Sequence, residues 1–485
     1  MKNLFTKRTA YALTGSVIVV AAAIVGCKKN KDDVPDTSIV LKSYSKTPAL
    51  VLKKAGFENM EVFSLFSSED VFEQSPGYVF GGSADGSGTI KNPDGSGYIM
   101  MVNNEDNWSL SRITLDNNFR PVKGEYSLNS DAGRWRLCSG TMATPQVNGF
   151  GPTYLCVGES NVEAQTHKIN PLMSGLQTNT PIAGLGHWSG ENAVPLHKDA
   201  FPGKTVLITG EDADDASGGQ VAMYLSNTVG DLDNGSQYML KRKDGNQKET
   251  AMTVGNQYDV EFVKIDNHKT LTGAQIQALV DPLQAIKFGR VEDVDFRKGS
   301  AANSREVYFT VTGQPATGVN ADRSRTVMGR VYRLTLEASD PTKGKLECIL
   351  DGDDDSGPAS EFQNPDNICV TTRYVYIQED SNTYGGETHD GYIYQYDIAA
   401  KTVKVVLELD HRRGDAKFGA TATKGNWEYG ALVDISDVVG IPDTFTLSVQ
   451  PHTWLSDAFK GKDGGTARPN EMQGSQVLVL KGLPR

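Results

Sequence analysis

The sequence predicts an all-β fold of the β-propeller class. Short β-rich runs bounded by Gly, Asn and Asp recur along the chain, and several alternate apolar and polar residues with the period of a half-buried strand. Roughly 440 residues follow the N-terminal segment, which is long for one sandwich and suits a propeller built of several four-stranded blades.

The first 26 residues are typical of a signal peptide and are set apart from the fold. Lys2, Lys7 and Arg8 precede an apolar run, 16–25, that is shorter than the roughly 20 residues of a membrane-spanning helix. The run ends at Gly26-Cys27, which resembles a bacterial lipobox, so we expect Cys27 to carry lipid. Residues 27–45 are then a lipidated tether, and 46–485 a single propeller domain. The polar residues after Cys27 resemble export signals, which predicts an outer membrane lipoprotein facing the periplasm or the cell surface.

The predicted strands follow one another at short intervals after the tether. They are 98–102, 108–115, 153–157, 206–209, 219–225, 306–312, 329–336, 374–378 and 391–397. Two segments, 206–224 and 374–396, share one order: a strand ending in Glu-Asp, a Gly-containing turn, and a second strand of the form Gly-x-(Val/Ile)-x-x-Tyr. This order predicts adjacent strands of repeated blades whose acids lie at one end.

One segment has helical periodicity, and two others have loop composition. Residues 270–286 place apolar side chains at helical spacing, with Pro282 as a kink or break, which predicts a short helical insertion between blades. The segments 83–88 and 231–235 are dense in Gly, Asp, Asn and Ser, which predicts loops.

Charge and motif content exclude several classes of function. The net charge is −12, and loss of the three basic residues of the signal peptide makes it −15, so nucleic acid is not an expected partner. The seven histidines form no His-x-x-x-His pair, which disfavours a zinc protease site, and no Gly-x-Ser-x-Gly motif indicates a serine hydrolase.

Acidic residues at strand ends are the chemical feature of this chain. They occur at 105–106, Glu159, 211–212, 292–293 and 379–380, and four of these five sites are Glu-Asp pairs. Each acid alone is explained by a solvated loop, whereas five together favour a shared site. Oxygen ligands in this number suit Ca²⁺, alone or beside a transition metal.

The chain resembles the PhoX-type alkaline phosphatases through motifs that follow one another in family order. Residues 137–145, Leu-Cys-Ser-Gly-Thr-Met-Ala-Thr-Pro, then 154–159, Tyr-Leu-Cys-Val-Gly-Glu, are similar to the family's cysteine and Glu-Glu strands. The further similar segments are 102–105, 186–191, 209–212 with 218–224, 289–294 with 307–312, 362–368 with 377–380, and 448–452. Departures from the family pattern occur at Val291 in place of proline, at Ser160 in place of a second glutamate, at 189–190 and at 451–452.

The resemblance implies a six-bladed propeller whose iron and calcium ions hydrolyse phosphate esters of small molecules. Carried over to this chain, Cys138, Glu211 and Glu292 would bind iron and Arg290 would hold the substrate phosphate, so that Arg290 and Glu292 are the catalytic candidates. The remaining acids would bind calcium or hydrogen-bond to ligands; they are Glu159, Asp212, Asp293, Asp366, Glu379 and Asp380.

The chain is expected to be a monomer, and two other functions stay open at this stage. One is a non-catalytic propeller lipoprotein that captures a ligand at the cell surface, and it predicts either a Cys138–Cys156 disulfide or a protein without iron. The other is a hydrolase of another ester, such as a lactone, in which calcium polarises the carbonyl.

Overall fold

The structure is a computed structural model that describes residues 39–380, 387–419 and 423–485. The predicted signal peptide, Cys27 and the first part of the tether lie outside the described residues. In the part that the structure describes, no helix is long and apolar enough to cross a membrane.

The described chain contains twenty-five strands. The first twelve are β1 (Val51–Lys53), β2 (Glu61–Ser67), β3 (Ala84–Lys91), β4 (Tyr98–Asn104), β5 (Ser109–Leu115), β6 (Pro121–Leu128), β7 (Arg136–Ala143), β8 (Thr153–Glu159), β9 (Thr166–Ile169), β10 (Gly190–Pro195), β11 (Thr205–Glu211) and β12 (Val221–Ser226). The others are β13 (Ser236–Arg242), β14 (Gln257–Ile265), β15 (Val291–Phe296), β16 (Glu306–Val311), β17 (Arg330–Glu337), β18 (Asp340–Asp351), β19 (Pro365–Val370), β20 (Tyr374–Glu379), β21 (Tyr392–Asp397), β22 (Thr402–Leu409), β23 (Glu428–Asp434), β24 (Thr444–Gln450) and β25 (Gln476–Lys481). All nine predicted strands are confirmed, because each coincides with one of these.

The helices are few and short. The α-helices are α1 (Ser130–Gly133), α2 (Gly273–Gln277), α3 (Val280–Leu283) and α4 (Ser436–Val439), and the 3₁₀ turns are Ala183–Leu185, Glu249–Ala251, Asn303–Arg305, Gly318–Asn320, Ala416–Phe418 and Asp457–Phe459. The predicted insertion is confirmed as α2 and α3 between β14 and β15. Its break falls at 278–279, before Pro282, because Pro282 lies in the first turn of α3, where no backbone donor is needed.

The described strands form five antiparallel sheets in a propeller-like arrangement. Their spatial orders are β3-β4-β5-β6, β7-β8-β9, β10-β11-β12-β13-β14-β18-β17-β16-β15, β1-β22-β21-β20-β19 and β2-β25-β24-β23. The last sheet joins both ends of the described chain, since β2 pairs with β25. Buried apolar side chains fill the space between neighbouring sheets; Leu155 and Val157 of β8, for example, pack with Leu207 of β11.

The innermost strands of the described sheets close a ring. In order around the ring they are β3, β7, β10, β15, β19 and β23; each packs against the next, and β23 packs against β3. Residues 83–88 were predicted to be a loop, and this prediction is wrong for most of the segment, because Ala84–Lys91 is β3. Its glycines satisfy close packing rather than a turn: a Cβ at Gly86 would overlap the backbone of β7 at Gly140. The predicted loop at 231–235 is confirmed.

Candidate metal centre

Each strand of the inner ring is irregular at the same end of the propeller. The pairing of β3, β7, β10, β15, β19 and β23 with the next strand of its sheet slips at one point near its N-terminal end. A β-bulge bends its strand locally and re-aims a side chain. In the first five strands the first residue of the bulge is acidic or a cysteine; these residues are Asp85, Cys138, Glu191, Glu292 and Asp366. In β23 the first residue of the bulge is Gly430, and Glu428 lies two residues before it.

A second set of side chains reaches the same edge from the ends of the neighbouring strands. Because those strands run antiparallel to the inner ones, their C-terminal ends lie beside the bulges. This places Glu105 after β4, Glu159 at the end of β8, Asp212 after β11 and Asp380 after β20. The two sets therefore meet at one end of the ring.

The two sets enclose a cavity of about 200 Å³, which we call the cluster cavity. Among the described residues its walls are Glu105, Asp106, Arg136, Cys138, Glu159, Glu191, Arg290, Glu292, Asp366, Asp380, Glu428, Gln450 and His452. Three groups could each hold a cation, since their ligand atoms lie within 4.8 Å of one another: Asp85-Glu105-Cys138, Cys138-Glu159-Glu191 and Asp366-Asp380-Glu428. Cys138 belongs to two of these groups.

The acids of the cluster cavity are buried and oppose one another's ionisation. Burial first, and a neighbouring carboxylate second, raise the pKa of Asp85, Cys138, Glu159, Glu191, Glu292, Asp366 and Glu428. Carboxylates that converge in this way stay ionised together only if a cation lies between them. The donor set therefore fits bound metal ions.

Cys138 is a free thiol in this arrangement. Its Sγ donates to Oε2 of Glu159 over 3.1 Å, and all four cysteines of the described chain are free and buried. Cys156 packs in a separate apolar cluster with Leu137 and Tyr154. The disulfide that the binding hypothesis predicts between Cys138 and Cys156 is absent from the described residues.

Two arginines lie at the mouth of the cluster cavity. Arg136 and Arg290 each lie two residues before a residue of a bulge, Cys138 in β7 and Glu292 in β15. Arg136 pairs with Glu105 and with Asp106, each over 3.0 Å. Arg290 binds both carboxylate oxygens of Asp212, over 2.7 and 2.9 Å, and contacts Glu292 at 3.0 Å.

Arg290 determines the charge of its neighbour Asp212. Burial raises the pKa of the Asp212 carboxyl, but the two-pronged contact with the guanidinium outweighs it, so the pKa lies below its ordinary value. Asp212 is therefore a fixed anion.

Most of the side chains predicted from the sequence line the cluster cavity or its mouth. Cys138, Glu159, Arg290, Glu292, Asp366 and Asp380 line the cavity, and Asp212 lines the mouth beside Arg290. Three predicted acids are buried outside the cavity lining. They are Glu211, Asp293 and Glu379.

The three acids outside the lining differ in their surroundings. Burial raises the pKa of Glu211 to about 8 and that of Asp293 to about 7. Asp293 accepts hydrogen bonds from Asn192 and the backbone of Ile368. Glu379 accepts hydrogen bonds from Nε2 of His389, from the Tyr394 hydroxyl and from two backbone amides. These bonds hold the segments around β20 against one another.

Sequence reasoning missed several members of the cavity. Asp85, Glu191 and Glu428 are single acids outside any Glu-Asp pair, and Arg136 begins a strand that was singled out only through its cysteine. The bulges that aim Asp85 and Glu191 inward leave no pattern in the residue types. The arginine could have been found from its spacing, because Arg-x-Cys at 136–138 parallels Arg-x-Glu at 290–292.

Solved structures with a similar fold include one phosphatase with high mutual coverage. Pseudomonas fluorescens PhoX in complex with vanadate, a transition state analogue, superimposes with a TM-score of 0.61 at 15% identity over 91% of this chain and 98% of that chain. The PQQ-bound aldose sugar dehydrogenase of Streptomyces coelicolor has a TM-score of 0.36 at 9% identity, covering 87% of this chain and 99% of that chain. Regucalcin of Agrobacterium tumefaciens has a TM-score of 0.34 at 12% identity, with 83% and 92% covered.

Comparison of the sequence itself gives the family. No curated protein matches the chain. The sequence model of the alkaline phosphatase PhoX family, in contrast, matches residues 165–434, which is more than half of the chain. This segment carries four of the six inner-ring strands, β10, β15, β19 and β23, together with Arg290, Glu292 and Asp380. The chain belongs to the PhoX alkaline phosphatase family.

Proposed function

We propose that this protein hydrolyses phosphate esters at the cluster cavity, with bound metal ions. One observation carries the proposal: a thiol, eight carboxyls and two arginines, from five of the six inner strands and from neighbouring segments, line a cavity of about 200 Å³. A phosphoryl group is small and anionic, so it suits a cavity of this size whose mouth carries two guanidinium groups.

The donor atoms indicate which metals would bind. A buried thiol favours a transition metal and carboxylates favour hard cations, so we infer iron beside Cys138 and calcium among the acids. The Asp366-Asp380-Glu428 group, which has only oxygen ligands, is the calcium candidate. Glu159 and Glu191 complete one of the two groups that contain the thiol, and Asp85 and Glu105 complete the other. Bound cations would neutralise the phosphoryl oxygens and lower the barrier to nucleophilic attack.

The arginines would position the substrate. The hydrogen bonds from Arg290 to Asp212 hold its guanidinium at the mouth, where its positive charge would attract a phosphoryl group. Arg136 lies on the other side of the same mouth, in the inner strand two places away around the ring. We infer that the two side chains hold the phosphoryl group between them and stabilise the charge that develops on it.

Further features of the proposal concern the whole molecule. We infer six blades, because six inner strands form the ring and because the nine-stranded sheet contains two four-stranded sets, β10–β13 and β15–β18, joined through β14. We also propose an outer membrane lipoprotein anchored through Cys27, facing the periplasm or the cell surface. As a monomer it would act on small phosphate esters there.

Metal analysis and a phosphatase assay test the function together. The purified protein should contain iron and calcium and should hydrolyse a phosphomonoester at alkaline pH. Arg290→Ala and Glu292→Gln should each lower kcat by about 100-fold or more, since each removes a group at the reacting phosphate. Arg297→Ala is the matched control, because Arg297 follows the opposite end of β15 and pairs with Glu306. A protein with calcium, without iron and without turnover of any phosphoester would instead be a binding protein.

A further inference from the structure

A second cavity opens from the mouth of the cluster cavity. This outer cavity has a volume of about 820 Å³. It shares Arg136, Glu159 and Arg290 with the cluster cavity, so these three side chains form the boundary between the two. A phosphate held at the boundary would direct the organic group of its ester into the outer cavity.

The size of the outer cavity suits a large organic group. Its volume lies in the upper part of the range of about 300 to 1,000 Å³ that is typical of ligand pockets. Its walls come from four segments beyond the inner ring: the loop at 160–162, the turn at 212–215, the α2 helix at Gln277, and the 314–319 loop. Val319, which is 48% exposed, and Pro315 supply apolar surface there.

The charges of the outer cavity are unevenly distributed. Both arginines are at the boundary and engaged with acids, and Asp212 is paired with Arg290. Asp214 and Asp215, farther along the same turn, are exposed and form no ion pair among the described residues. Apart from the two boundary arginines, the described residues that line this cavity therefore include these two carboxylates and no cationic side chain.

The turn that carries these two carboxylates is held in place. Arg325, which is buried, donates to the backbone oxygens of Asp215 and Ala216, and Oδ1 of Asp215 accepts from the amide of Ser217. The backbone position of the two acids is thus set by the protein and does not depend on a ligand.

We infer that the outer cavity selects phosphate esters whose organic group is uncharged or cationic, such as a nucleoside, and that Asp214 and Asp215 are the residues that reject anionic groups. This inference rests on the proposed function, because it concerns the leaving group of that reaction. For an assumed separation of about 8 Å, two carboxylates screened as in water disfavour an anionic group by about fivefold, and by more where water is partly excluded.

Two esters of the same shape measure the selectivity. The probes are 4-carbamoylphenyl phosphate and 4-carboxyphenyl phosphate, which differ in one charge, and adenosine 5′-monophosphate serves as a large uncharged ester. The wild-type protein should turn over the carbamoyl ester with the higher kcat/KM, and it should also accept the nucleotide. Any difference in intrinsic reactivity between the esters cancels when their ratio is compared between the wild type and a variant.

Charge removal at the turn is the decisive comparison. The ratio compared is kcat/KM for the carbamoyl ester divided by kcat/KM for the carboxy ester. The double variant, Asp214→Asn with Asp215→Asn, should reduce this ratio by about fivefold, and each single variant should reduce it by about twofold. Asparagine keeps the acceptor oxygen for Ser217, so the turn is preserved. The control is Asp233→Asn, which removes the same charge from an exposed loop outside the outer cavity and should leave the ratio unchanged.

The outcomes separate this inference from the proposed function. If the wild type hydrolyses neither phenyl ester nor the nucleotide, the proposed function fails and the inference fails with it. If the esters are hydrolysed and the ratio is the same in the wild type and the double variant, the phosphatase stands and the charge selection is wrong. A fall of the ratio in the double variant, with no change in the control, supports the inference.

Discussion

At the residue scale, Cys138 constrains the chemistry of the centre more than any single acid. Its Sγ belongs to two of the three candidate metal groups, and it is buried among Glu105, Glu159 and Glu191. Burial raises the pKa of the thiol, and the surrounding acids raise it further, so without a cation it stays protonated. A thiolate at this position therefore requires a metal.

Replacement of Cys138 by serine should remove iron from the protein and leave calcium bound. Loss of a residue that hydrogen-bonds to a metal ligand lowers metal affinity by about 10- to 100-fold. Loss of the ligand itself should therefore lower the affinity for iron by at least that much. Calcium at the Asp366 group, which has only oxygen ligands, should remain. Metal analysis of Cys138→Ser measures both ions in one sample.

Cys156→Ser is the matched control for that variant. Cys156 lies on β8, is fully buried and packs with apolar neighbours away from the metal groups. Its replacement should lower thermal stability and leave the iron content unchanged. Equal iron in Cys138→Ser and the wild type would refute a thiolate ligand.

The sequence could identify acids but could not resolve which of two neighbours faces the cavity. The predicted pairs 211–212, 292–293 and 379–380 each send one member to the cavity or its mouth and one away from it. Successive side chains of a strand point to opposite faces, so this division follows from the fold. Which member faces inward depends on the register, and the register depends on bulges that residue types do not reveal.

At the element scale, the recurring bulge explains how six strands with different sequences build one site. The strand runs were predictable because alternation and turn residues are local properties. Asp85 was not, because its segment is rich in Gly and Ser and has the composition of a loop. Those small residues are needed where inner strands approach closely, and that approach is a property of the closed ring.

Gly210 tests the dependence of the site on this close packing. A Cβ at Gly210 would overlap the backbone oxygen of Glu292, across the contact between β11 and β15. Gly210→Ala should therefore displace the bulge of β15, destabilise the fold by about 1 to 3 kcal/mol and lower phosphatase activity. Urea unfolding and the assay at a saturating substrate concentration measure the two effects.

Gly77→Ala is the control for Gly210→Ala. An added Cβ at Gly77 has no atom within 4 Å, so the same chemical change should leave both measurements within error of the wild type. If Gly210→Ala also retains full stability and activity, the packing of β11 on β15 does not position Glu292.

At the scale of the whole molecule, the fold holds together a group of charges that repel one another. The ring is closed by pairing β2 with β25, so both ends of the described chain are joined in one sheet. This closure keeps the inner strands at a fixed separation and prevents the acids from relieving their repulsion by moving apart. Bound cations would supply the compensation, which makes metal binding a source of folding stability.

Removal of metal should therefore destabilise the protein, and increasingly so as the pH rises. At a free metal concentration of about 1,000 times the Kd, each occupied site contributes about 4 kcal/mol to the free energy of unfolding. In the metal-free protein the raised pKa values of Glu191, Asp366 and Glu428 mean that the folded state binds protons that the unfolded state releases. Stability is then complete below the ordinary carboxyl pKa of about 4 and is lost as the pH rises through the raised values.

The difference in Tm between metal-loaded and chelator-treated protein measures this linkage. The difference should widen from pH 5 to pH 8, because the protons that compensate for the missing cations at pH 5 are released progressively as the pH rises. His167, whose pKa burial lowers to about 4, also makes stability depend on pH in this range, but it does so equally in both forms and cancels in the difference. Glu428→Gln removes one of the repelling charges, so the chelated variant should lose less stability toward pH 8 than the chelated wild type. A difference in Tm that stays constant across this range would show that the acids of the cluster cavity do not repel one another in the folded protein.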